Sequence, residues 1–79
     1  MNRELTFGEK AVGLTFNSGA NAAVHDCKVI YAKAIDQLNA IRDVAVFNKD
    51  FEVARLTAVA ITETQGAQMW AVKAITWGT

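Results

Sequence analysis

The sequence predicts an all-α fold in which a short N-terminal helical turn precedes an antiparallel two-helix hairpin, assembled into a compact homo-oligomer. Three observations predict it. The chain has no proline, and four of its five glycines (positions 8, 13, 19 and 78) lie near its ends, so the middle is free to stay helical. Apolar residues from Val24 to Ile41 recur at steps of three and four. The last third carries two apolar rows where a hairpin needs only one.

Residues 1–20 hold Gly8, Gly13 and Gly19 among Phe7, Val12, Leu14 and Phe16, a pattern too irregular for a long helix. One helical turn near residues 6–12 is expected there. Asn17-Ser18-Gly19 reads as a turn, with Ser18 or Asn21 available to cap the helix that follows by accepting a backbone N–H bond.

Along the first long helix, Val24, Cys27, Tyr31, Ala34, Leu38 and Ile41 form an apolar seam, while Asp26, Lys33, Asp36 and Arg42 lie off it. The helix is expected to end between Arg42 and Asn48, and Asn48 or Asp50 to cap a second beginning near residue 51. A parallel coiled coil is disfavoured because residues 43–50 interrupt the seam.

In the second helix, Val53, Leu56, Ala60, Ala67, Trp70, Ala74 and Trp77 form one apolar row; Ala54, Ala58, Ile61, Val72 and Ile75 form another. An element that is apolar nearly all round must be covered nearly all round, which one partner helix cannot do. If residues 51–77 are a single helix it is about 40 Å long, giving a rod-like chain before assembly. Fourteen alanines allow close helix approach and leave little bulk for a free-standing core.

At 79 residues the chain is expected to be one domain spanning residues 1–79. So small a core rarely supplies more than about 3–5 kcal/mol without staples. Cys27 is the single cysteine and His25 the single histidine, so neither an internal disulfide nor a four-ligand zinc site is available, and no cofactor is expected. Self-association remains. The start, MNRELTFGEK, lacks the apolar core of a signal peptide and no run suits a membrane span, so a cytoplasmic location and no membrane partner are expected. Zero net charge argues against binding DNA or RNA polymers.

Candidate chemistry is sparse. Thr57, Thr62, Thr64, Gln65 and Gln68 form an uncharged polar cluster around Gly66, read either as an interhelical hydrogen-bond layer or as ligand-binding groups. Gly66 itself is expected to admit a neighbouring backbone or a ligand. Lys73, near Trp70 and Trp77, either snorkels to solvent or meets a phosphate. Lys28, close to a helix N-terminus that favours anions, is either a solvated surface residue or a phosphate ligand. Phe16 or Phe7 offers an aromatic face. His25 and Cys27 point in different directions and Asp26, Asp36 and Glu63 are isolated, so no catalysis is expected.

The segments TFGEKAVGLTFN, VHDCKVIYAKAIDQLN and AITETQGAQMWAVKAITW resemble the phage anti-CBASS protein two family, which shares its helical hairpin with a Thoeris anti-defence sponge family. The likeness spans nearly the whole chain and is strongest from Thr62 through Gln65, Gly66, Met69, Val72 and Lys73 to Ala74. It implies a homohexamer that captures cyclic dinucleotides such as cGAMP, and cyclic trinucleotides, without cleaving them. The host's defence effector is then not activated. Carried over, Lys28 resembles the family lysine at the dinucleotide pocket and Lys73 the basic residue at the trinucleotide site, where arginine is frequent. Where the family often has a GYR motif, this chain has Gly13-Leu14-Thr15-Phe16, so Phe16, or else Phe7, stands in as the stacking ring. Thr62 and Gln65 complete the candidate ligand-binding set. The alternative is an adaptor hairpin whose second apolar row docks onto another protein.

Overall fold

In the computed structural model, which describes residues 3–78, Thr6 opens a short helix, α1 (Phe7–Ala11). The Thr6 hydroxyl accepts from the Glu9 N–H at 3.1 Å and the Glu9 carboxylate accepts from the Thr6 N–H at 2.8 Å, a reciprocal cap that satisfies two otherwise unpaired donors. Arg3 closes on Glu9 through two parallel bonds of 2.7 and 2.6 Å. That guanidinium, aided by the Thr6 N–H, holds the Glu9 carboxyl well below the usual carboxylate range, at about 2. At the far end the Gly13 and Leu14 N–H groups return to Lys10 O and Glu9 O, with Gly13 left-handed at φ +62. This closure suits glycine, which has no Cβ to clash.

After a 3-10 turn at Ser18–Ala20, Asn21 rather than Ser18 caps α2 (Ala22–Phe47), its side chain accepting from the Val24 N–H at 3.1 Å. Asp50 caps α3 (Phe51–Ile75), accepting from the Val53 N–H at 3.3 Å. Three residues join the two long helices, so they return antiparallel as a hairpin. No strand is present among the described residues.

Val12, Ala32, Ile35 and Ile61 meet at the centre, drawing one wall each from the α1 end and α3 and two from α2. Ile35 is wholly buried, which is worth about 1.5–3 kcal/mol. The buried side chains of α2 are Val24, Lys28, Ala32, Ile35 and Ala45. Of the expected seam, Val24 belongs to this set and Tyr31 and Leu38 are half-buried and pack against the core, whereas Ala34 and Ile41 are exposed and Cys27 is half-buried. The inward face is displaced because α2 is packed by α1 as well as α3. α1 approaches so closely that Asp36, off the seam, accepts from the Gly8 N–H and the Thr6 hydroxyl at 2.7 Å each. The Cα envelope measures 46 × 32 × 13 Å, a slab rather than the expected rod.

On α3 the second row turns inward through Ile61, Val72 and Ile75, while Leu56, Trp70 and Trp77 of the first row are exposed. The polar cluster is an interhelical hydrogen-bond layer only in small part, although Thr57 and Gln68 are buried. The hydroxyls of Thr57 and Thr64 donate to carbonyls of their own helix, at Val53 O and Ala60 O, as helical threonines commonly do. Thr62 is exposed. Gln65 alone crosses, donating to Ala11 O at 3.3 Å and tying α3 to the end of α1.

Candidate functional site

The expected site residues fall into three places. At the first, Lys28 is buried, only 6% exposed, although a lysine one turn into a helix reads as a surface charge. Its Nζ donates to the Gly13 carbonyl at 2.9 Å and to the Phe16 carbonyl. These oxygens replace the water that a buried ammonium loses. The Phe16 N–H donates to the same Gly13 carbonyl at 2.9 Å, so Gly13–Phe16 is a tight turn whose first and last residues both accept from Lys28. The Phe16 side chain is 84% exposed. Lys28 and Phe16 are therefore brought together, but through the Phe16 backbone.

Phe7 is elsewhere. It opens α1, where the Arg42 guanidinium lies 5.2 Å from its ring centroid and Gly8 rests on Asp36. Positions 28 and 36 on α2 differ by eight residues, or about 12 Å of rise. Phe7 and Phe16 thus mark opposite ends of the N-terminal segment, and Phe16 is the one whose backbone is bonded to Lys28.

The third place is the outer face of α3. Gly66, Met69, Trp70 and Lys73 line an open hollow of about 300 Å³. Lys73 Nζ stands 5.7 Å from the Trp70 ring centroid and Trp70 is 72% exposed. The space beside Gly66 is open, with no neighbour within 4 Å of where a Cβ would stand, so no close backbone approach is made within the chain. An aromatic face, a cation and a patch of bare helix backbone suit a stacked base and a phosphate. Gln65 is committed to Ala11. Trp70 and Met69 were not among the expected contacts; their one-turn spacing from Gly66 and Lys73 carries that signal.

A larger hollow of about 430 Å³ lies at the hairpin tip, lined by Ile41, Val44, Ala45 and Val53 with Ala40, Asn48 and Asp50. It presents a carboxylate and no cation, so it is chemically wrong for an anion. No cluster of three or more metal-ligating side chains occurs among the described residues. No described helix is long and apolar enough to cross a membrane.

An all-helical hairpin, crossed by a short N-terminal helix and leaving aromatic and cationic side chains on its outer faces, defines the class. The family model for the Acb2/Tad1 hairpin domain matches residues 9–76, and the chain belongs to that family. No curated relative and no solved structure matches it.

Proposed function

We propose that this protein is a phage anti-defence sponge acting in the cytoplasm of an infected bacterium. It binds cyclic dinucleotides, and cyclic trinucleotides, and holds them intact so that CBASS effectors are not activated. The family match supports an anti-defence role. The observation that carries the ligand class is the α3 hollow, where Trp70 offers a stacking face, Lys73 a cation and Gly66 an unobstructed approach.

A hollow of about 300 Å³ is at the small end of ligand pockets, which run to about 1,000 Å³. It takes a nucleotide unit rather than a whole cyclic di- or trinucleotide. The remaining walls come from further copies of the chain, as a homohexamer supplies, and exposed Leu56, Trp77, Phe47 and Phe51 give those copies apolar surface to bury. Lys28, Phe16 and the exposed Thr62 serve the same capture, Lys28 and Phe16 at the dinucleotide pocket, while Gln65, bonded to the Ala11 carbonyl, supports it from within the chain. Capture requires affinity and not turnover, so no catalytic residue is assigned.

Calorimetry against a panel of cyclic di- and trinucleotides tests the proposal. Saturable binding, with unchanged nucleotide recovered after denaturing the protein, supports it. No binding at tens of micromolar, or recovery of a cleaved product, overturns it. The apolar hollow at the hairpin tip favours a second reading, an adaptor that docks another protein. That reading expects no nucleotide binding.

A further inference from the structure

We infer that Lys28 is a positioning residue for the stacking ring of Phe16, which it fixes by clamping the turn that carries it. The inference rests on the dinucleotide-capture reading and changes the role of its central lysine. A lysine that met phosphate directly would present its ammonium to the solvent side of a pocket. Here the side chain is buried, and its Nζ is turned onto the carbonyls of Gly13 and Phe16. Two of the three ammonium donors are occupied by backbone oxygens.

The turn sits in an irregular segment between α1 and α2. Gly13 is left-handed at φ +62, and a few residues on Gly19 and Ala20 are left-handed at φ +75 and +51. The segment between α1 and α2 therefore holds a non-glycine residue in a conformation that side chains disfavour. Asn17 and Asn21 pin its second half, with the Asn17 amide donating to Asn21 O at 2.8 Å and the Asn21 N–H donating to Asn17 Oδ1 at 3.1 Å. Lys28 pins its first half. An exposed ring gains little from stacking if the chain beneath it must be ordered on binding. Clamping both ends of the Gly13–Phe16 turn removes that ordering in advance.

The test has an unliganded arm and a liganded one. Without ligand, Lys28→Met should raise amide hydrogen exchange at Phe16 and its neighbours while leaving α2 and α3 protected, and Lys28→Arg should restore part of that protection. Unchanged exchange at Phe16 would overturn the clamp whether or not any nucleotide binds. With a cyclic dinucleotide, Lys28→Met and Phe16→Ala should each weaken binding about tenfold. The double variant should bind no worse than Phe16→Ala, and the salt dependence of binding should match that of the native protein. Additive losses, with a slope of log Kd against log salt reduced by about 0.7, would show that Lys28 meets a phosphate itself and would overturn the positioning role. Failure of the native protein to bind any cyclic nucleotide would instead end the capture reading, while the exchange arm still decides the clamp.

Discussion

A methyl group at position 8 would stand 2.1 Å from the Ala32 carbonyl oxygen and 2.9 Å from the Asp36 carboxyl carbon. Gly8 is thus the contact that lets α1 lie against α2, and the Asp36 bonds to the Gly8 N–H and Thr6 hydroxyl form only at that separation. Gly8→Ala should destabilise the fold by about 1–3 kcal/mol through forced separation of the two helices, read as a lower denaturant midpoint. A midpoint equal to that of the native chain would contradict the packing described. Little of this is legible in the sequence. Asp36 reads as an isolated charge off the seam, and Lys28 as a solvated charge or a phosphate ligand, because their backbone partners at residues 8, 13 and 16 are distant along the chain and carry no residue-type signal. The Thr6-x-x-Glu9 cap is the exception, since a local spacing encodes it.

The helices themselves are legible because their causes are local. Caps at Asn21 and Asp50 and an unbroken lack of proline set the bounds of α2 and α3. The stop between them is harder to read, since neither glycine nor proline marks it. Lys49 occupies the left-handed position at φ +59 that glycine usually fills, while its N–H donates to Val46 O at 3.1 Å and the Asp50 N–H to Ala45 O at 2.8 Å. Lys49→Gly should therefore stabilise the hairpin by about 0.5–1 kcal/mol, the relief of the Cβ clash less the extra freedom of glycine when unfolded. Thermal unfolding reads it, and a lower Tm would contradict this account of the corner. The periodicity finds Val24, Tyr31 and Leu38 on the inward face of α2 but misses Lys28, Ala32 and Ile35: that face is shared between α1 and α3, and a 3.6-residue pattern records how apolar a face is without recording how many elements cover it.

The whole molecule is a slab 13 Å thin in its Cα envelope, with a core centred on four buried side chains and with Phe16, Phe47, Trp70 and Trp77 each more than 70% exposed. The excess of apolar faces is legible from the two rows of α3, which the chain alone cannot both cover. Which faces would meet in the proposed oligomer is not, because a pocket walled by several copies would be encoded by no single stretch of residues. Large exposed apolar patches on so small a chain are tolerated in water only when something covers them, and the central claim is that copies of the same chain do. Sedimentation equilibrium of the purified protein tests it most directly. The account predicts a mass of several 8.6 kDa chains, about six by likeness to the family. A well-folded helical species of 8.6 kDa would contradict it.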